Sequence, residues 1–232
     1  MTSPVGQVTT LTRRSFWSDL SELDRAELRS LGVARSHPPS AVLIAEGGAS
    51  DFAVVLLEGC ALVSRVDRKG FETVLAIRYP GDLLGELALV DGQPRSATVR
   101  SLTEVLALTV PAERFARFCA RRPDVERLVQ RTVTARLREA DDARVATGSA
   151  PAAPRLAALL LDLGRRYGRQ DEAGRLQIDL PLSQDELASL LSTSGRTVRR
   201  ALTRWRNAGV VRTEPRRIVI LDPLALRRIA AD

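Results

Sequence analysis

GDLLGELALVDGQPRSATVR, residues 81–100, decides how the rest of the chain is read. Its first half sets Gly85, Glu86, Leu87 and Ala88 into a tight turn, and its second half sets Arg95, Ser96 and Ala97 into another, amid strand-forming residues. Small residues let backbone N–H groups converge on an anion, and the planar Arg95 guanidinium offers a fork of donors to phosphate. A carboxylate such as Glu86 accepts hydrogen bonds from sugar hydroxyls. The stretch therefore reads as a pocket in which charge and sugar are recognised separately. Taken alone it also fits a hairpin carrying a surface Glu86–Arg95 ion pair, which contributes little.

Around this stretch, residues 41–110 alternate short β-rich runs with glycine-containing turns: AVLIAEGG, DFAVVLLEGCALVSRVDRKG, FETVLAIRYPG and SATVRSLTEVLALTV. That spacing predicts a small antiparallel barrel or jelly roll. Ahead of it, DLSELDRAELRSLG carries Leu20, Leu23, Leu28 and Leu31 with early acids and Gly32 as a stop, a short helical start that packs on the barrel. Behind it, PAERFARFCARR reads as a helix, and Pro123, Asp124 and Glu126 form the proline-led, acidic first turn of a longer one. Val125, Leu128, Val129, Val133, Leu137 and Ala140 make one narrow apolar stripe along it. Such a stripe fits packing on the chain's own barrel or against a second copy.

Residues 146–154, ATGSAPAAP, are small and proline-broken, and a domain boundary or hinge is expected there. A helix over 155–167 and a short strand in LQIDLPL follow. Then LSQDELASLLSTSGRTVRRALTRWRNAGVV, residues 182–211, opens with Ser183 and Glu186 in the spacing of a reciprocal helix cap. Leu187, Ala188, Leu190 and Leu191 line one helix, Ser192, Thr193 and Ser194 break it, and Val198, Ala201, Leu202 and Trp205 line the next. Two short helices about a tight turn read as helix-turn-helix. The inward apolar positions leave Arg196, Thr197, Arg199 and Arg200 outside, behind Ser194, on a helix of the width that enters the major groove of DNA. VVRTEPRRIVIL then supplies two strands around Glu214 and Pro215, a wing whose Arg216 and Arg217 reach phosphate.

Two motifs in this order, with a long helix between, resemble the cyclic AMP receptor protein/FNR family of transcription regulators over about residues 20–222. Residues 85–97 resemble its phosphate-binding cassette, and residues 182–220 its winged helix-turn-helix. The resemblance implies an α+β chain: a cyclic-nucleotide-binding-like β-barrel domain over 1–122, a dimerisation helix over 123–147, a hinge over 148–154 and a DNA-binding domain over 155–232. It implies a homodimeric regulator, not an enzyme, that binds a near-palindromic DNA operator under the control of a small effector such as cAMP or cGMP, with RNA polymerase as a further partner. Two departures stand out. Where many relatives begin the recognition helix with base-reading Arg and Glu, this chain has Gly195 and Arg196. Where cyclic AMP receptors present a Thr and a Ser or Asn to the adenine, it has Ala140 and Asp141, of which Asp141 keeps an acceptor for an amino group.

Composition agrees. Of the chain's 232 residues, 44% are hydrophobic, enough for one or two cores, and the length allows two domains. No apolar run is long enough to span a membrane and MTSPVGQVTTLTRRSF lacks a leader pattern, so a cytoplasmic protein is expected. Cys60 and Cys119 cannot by themselves hold an iron–sulfur cluster or a disulfide framework, and the single His37, beside two prolines, reads as a surface turn rather than a haem ligand. No metal site or hydrolytic centre is expected. Residues 1–148 hold 20 Lys and Arg against 19 Asp and Glu, whereas 149–232 hold 15 against 9, so the basic excess is C-terminal. Eight arginines fall between positions 196 and 217, a surface that faces a polyanion.

Overall fold

The computed structural model describes residues 15–149, 151–171 and 175–231. The chain divides into two compact units, one ending at Val145 and the other beginning at Ala146.

In the first unit, Ser15 caps α1 (Phe16–Asp19) in a reciprocal box with Ser18, and Ser21 caps α2 (Glu22–Leu31) by accepting from the Asp24 N–H. Leu20 and Leu28 are buried as expected, but Leu23 is 77% exposed, so the apolar face is narrower than four leucines imply. Gly32 ends α2 for a steric reason. Its φ of −127° suits any residue, yet a Cβ there would lie 2.5 Å from the Thr109 carbonyl oxygen.

The strands are β1 (Val33–His37), β2 (Val42–Ile44), β3 (Phe52–Glu58), β4 (Ala61–Val66), β5 (Glu72–Arg78), β6 (Leu83–Leu84), β7 (Thr98–Ser101) and β8 (Val105–Pro111), with α3 (Glu86–Asp91) between β6 and β7. They form two antiparallel sheets, β1-β8-β3-β6 and β2-β7-β4-β5, the expected barrel or jelly roll. Strand β3 explains why FAVVLL lacks alternation. Ala53 and Val55 pack with Phe16, Leu28, Phe115 and Phe118, while Val54 and Leu56 pack with Ile44, Leu84 and Val99 on the other face. A strand covered on both sides reads as a continuous apolar run.

The helices α4 (Ala112–Ala120) and α5 (Pro123–Ser149) follow, and Phe115, Phe118, Val125 and Val129 join the outer cluster. Beyond Val129 the stripe opens: Val133 is half-buried, and Leu137 and Ala140 are exposed.

Three local expectations are corrected. The sheets begin at Val33, before residue 41. His37 ends β1, paired with Val105, and the reversal starts only at Pro38, whose carbonyl accepts from the Ala41 N–H. Gly85 to Ala88 is not a turn: Gly85, in the left-handed region at φ 78°, is the N-cap of α3.

The second unit contains α6 (Ala152–Tyr167), β9 (Gly168–Gln170), β10 (Leu176–Ile178), α7 (Gln184–Leu190), α8 (Gly195–Asn207), β11 (Val211–Glu214), β12 (Arg217–Ile220) and α9 (Pro223–Ala231). One antiparallel sheet runs β11-β12-β10-β9. Strand β9 and helix α9 were not expected from the sequence; Pro223 starts α9 as a proline at a first helical position does. Within the expected hinge over 148–154, residue 150 lies outside the described residues, and α5 runs on to Ser149.

Candidate functional site

The cassette is built at the corner where β6 meets α3. Arg95 is 4% exposed, and its side chain reaches back across the corner. Its Nε donates to the Ala49 carbonyl at 3.1 Å, Nη1 to the Gly85 carbonyl at 2.9 Å and Nη2 to the Phe52 carbonyl. The guanidinium also lies 4.8 Å over the Phe52 ring. Burial lowers the Arg95 pKa from its ordinary value, opposed by the charges of Asp51 and Glu86. Arginine stays protonated regardless. A side chain at Gly85 would strike this fork, since a Cβ there lies 2.3 Å from Nη1, so glycine is required by both space and φ.

Glu86, 3% exposed, begins α3 and forms an ion pair with Arg136 of α5, whose second terminal nitrogen donates to the Leu83 carbonyl. Leu87 is exposed and Ala88 buried; Ser96 is exposed and Ala97 half-buried. The structure thus brings Gly85, Glu86 and Arg95 together at the N-terminus of α3, whose first-turn N–H groups have no partner within the helix. It does not bring Asp141 to them. Asp141 lies about 140° around α5 from Arg136, where its exposed carboxylate faces Arg144 at 3.7 Å.

Sequence reasoning missed the α5 side of this corner. Arg136 and, three residues on, Glu139 project from neighbouring positions of one helical face, and Glu139 pairs with Arg78 of β5 at 3.6 Å. Arg78 is 12% exposed. A charged residue closely following Val133 in an apolar stripe was the available signal.

In the second unit, α7 carries the predicted Ser183–Glu186 box. Its C-terminus closes as a Schellman motif: Thr193 N–H donates to the Ala188 carbonyl, Ser192 N–H to the Ser189 carbonyl, and Ser192 takes φ 47°. Arg155 of α6 donates to the Leu191 carbonyl at 2.6 Å, a cap no sequence pattern announces. Ser194 then caps α8, accepting from the Thr197 N–H and sharing a hydrogen bond with the Thr197 hydroxyl. Gly195 leaves room for Asp185, whose Oδ1 would lie 2.2 Å from an added Cβ.

Val198, Leu202 and Trp205 are buried. Arg196, Arg199, Arg200, Thr203, Arg204 and Asn207 line a shallow surface groove of about 530 Å3 on the other face of α8. Arg199 is drawn toward Gln184 at 3.3 Å. Arg204 and Asn207, absent from the sequence-based set, extend that face by one turn. In the wing, Arg216 and Arg217 part ways. Arg216 is exposed at the hairpin tip with φ 61°, because Pro215 holds a negative φ and the reversal falls on the next residue. Arg217 points back into the sheet, its Nε 2.5 Å from Asp179 and Nη1 3.7 Å from Glu214. Burial opposes ionisation of Asp179, but hydrogen bonds from Gln177 and Arg217 outweigh it and hold the carboxyl below the usual range.

Among the described residues no group of three or more His, Cys, Asp and Glu could hold a metal ion, and no helix is long and apolar enough to cross a membrane. Cys60 and Cys119 are not joined in a disulfide.

Comparison with known proteins agrees with both halves. The cyclic nucleotide-binding domain family matches residues 34–122, and the Crp-like helix-turn-helix domain family matches residues 154–229. A CRP-like cAMP-activated global transcriptional regulator of Mycobacterium tuberculosis is 31% identical over 204 residues, 88% of this chain and 89% of the relative. The cyclic AMP receptor protein of Thermus thermophilus is 29% identical over 196 residues, 84% of this chain and 87% of that protein. In fold, FixK2 from Bradyrhizobium japonicum superposes with a TM-score of 0.73 at 20% identity, covering 87% of this chain and 98% of its own. The relatives are transcription regulators rather than enzymes. With a cyclic nucleotide-binding-type β domain, a long helix and a winged helix-turn-helix in one order and a relative matched along nearly its whole length, the chain belongs to the CRP/FNR family of DNA-binding transcription regulators that carry a cyclic-nucleotide-binding domain.

Proposed function

We propose that the protein is a homodimeric regulator whose operator binding is controlled by a cyclic nucleotide seated at Gly85, Glu86, Leu87, Ala88, Arg95, Ser96 and Ala97. The observation that carries this reading is the convergence of a buried carboxylate, Glu86, and a buried guanidinium, Arg95, on one glycine corner. Buried charges are costly unless they are paired and hydrogen-bonded. The relatives named for cAMP support the same ligand class. Phosphate goes to Arg95 and the N–H groups of α3, and ribose hydroxyls to Glu86. Because Glu86 also holds Arg136, a ligand on the cassette acts on α5 and through it on the DNA-binding unit. It shifts the equilibrium only as far as it binds the DNA-competent form better.

On DNA, two copies of α8 enter successive major grooves about 34 Å apart. Arg196, Arg200 and Arg204 face the bases and phosphates, with Arg216 of the wing on flanking phosphate. The second copy docks along α5, where Leu137 is 62% and Val145 69% exposed on a helix whose earlier apolar residues are covered. RNA polymerase beside the operator is a further partner in this reading, whichever the direction of regulation.

Calorimetry with cAMP and cGMP tests the pocket. Arg95→Ala would strand three carbonyls and destabilise the barrel, so Arg95→Lys, which keeps charge but loses the fork, is the informative variant. It is expected to weaken nucleotide binding at least tenfold, with thermal melting showing that the chain stays folded at the assay temperature; unchanged affinity rejects the pocket. A second reading is a regulator of the same class that binds its operator without nucleotide, favoured by the way Arg95 and Glu86 are already satisfied within the chain. DNA footprinting with and without nucleotide separates the two: equal protection supports the second.

A further inference from the structure

The charges on the α5 side of the cassette do more than tie a helix to a barrel. Glu86 and Arg136 pair at its base, and Arg78 and Glu139 pair beside them, the latter two from β5 and α5. The four groups, with Asp82, sense one another electrostatically. Burial lowers the Arg78 pKa, the nearby Arg136 charge lowers it further, and the charges of Asp82, Glu139 and Glu86 oppose both. A guanidinium only 12% exposed is held here at a separation of 3.6 Å from its carboxylate, too long for a hydrogen bond. Neither group is in its strongest geometry with the other.

We infer that Arg78 and Glu139 form the base-recognition end of the nucleotide pocket and select guanine over adenine. This rests on the cyclic-nucleotide reading of the cassette. With phosphate at Arg95 and ribose at Glu86, the base extends along the α5 face that carries Arg136, toward the neighbouring charged groups Arg78 and Glu139, with Asp82 beside Arg78. Guanine presents O6 and N7 as adjacent acceptors, the pattern a planar guanidinium binds with two parallel bonds, and N1–H and N2–H2 as adjacent donors, the pattern a carboxylate accepts. Adenine presents its N6 amino donor where guanine has O6, which sets a donor against Arg78. Asp141, on another face of α5, takes no part.

Calorimetry on the full chain with cGMP and cAMP decides it. The wild type is expected to bind cGMP at least tenfold more tightly than cAMP. Arg78→Leu and Glu139→Gln should each bring the two affinities to within about twofold, mainly by weakening cGMP. Because Arg78 is buried, its variant is checked by thermal melting; Glu139, half exposed, tolerates exchange and carries the test if Arg78→Leu fails to fold. Wild-type preference for cAMP, or equal loss of both nucleotides in Glu139→Gln, overturns the inference. If cAMP binds better and Arg95→Lys still weakens it at least tenfold, the pocket stands and only the base assignment falls. If neither nucleotide binds, both fall.

Discussion

Two single residues show how backbone conformation and charge placement set local stability. Ser192 occupies the left-handed corner of the helix-turn-helix, φ 47°, where an L side chain costs roughly 1–2 kcal/mol and glycine's extra unfolded freedom costs roughly 0.5–1 kcal/mol. Ser192→Gly is therefore expected to stabilise the second unit by about 0.5–1 kcal/mol, seen as a higher melting temperature with operator affinity unchanged. Asp179 makes a pH prediction. Its folded pKa lies below its unfolded value, so its contribution is present above the ordinary carboxylate range and is lost as pH falls through the folded value. The stability gap between wild type and Asp179→Asn should close as the solution is acidified, and a gap constant with pH would remove Asp179 from the account. At this scale the sequence singled out Gly85, Glu86 and Arg95, which the structure brings together, but not their partners. Carbonyls of Ala49 and Phe52, more than forty residues from Arg95 in the chain, carry no pattern to read.

At the scale of elements, the helix starts were legible because capping is local: Ser183 and Glu186 lie three residues apart and satisfy each other. Strand β1 and the strand identity of His37 were not, because β1 exists by pairing with β8, about seventy residues later. Helix α5 carries one stripe with two fates. The barrel covers Val125 and Val129, and leaves Leu137 open. Leu137→Glu is expected to convert the proposed dimer to monomer in analytical ultracentrifugation while leaving the circular dichroism spectrum unchanged. A variant that stays dimeric would place the interface elsewhere. The recognition helix α8 shows the same division. Its inward face was evident from period, whereas the withdrawal of Arg199 toward Gln184 required the neighbouring helix α7.

For the whole molecule, the C-terminal charge excess predicts a steep loss of DNA affinity with salt, as bound arginines release counterions. The structure sharpens which arginines count. Arg216→Gly keeps the left-handed tip without strain and should lower the salt slope by about one. Arg217→Gln should leave the slope unchanged and lower thermal stability, since Arg217 is held by Asp179 and Glu214. The opposite pattern would exchange their roles. What the sequence by itself determined is the order of parts and their chemistry: a phosphate-type cassette, a long amphipathic helix and a capped, arginine-faced helix-turn-helix, all encoded in residues a few positions apart. What only the tertiary structure decided is which charged groups are committed to one another. Arg136 meets Glu86, Glu139 meets Arg78, and Arg217 meets Asp179 across gaps of roughly forty to sixty residues. Coulombic and hydrogen-bonding partners are selected by distance in space, and folding alone sets that distance.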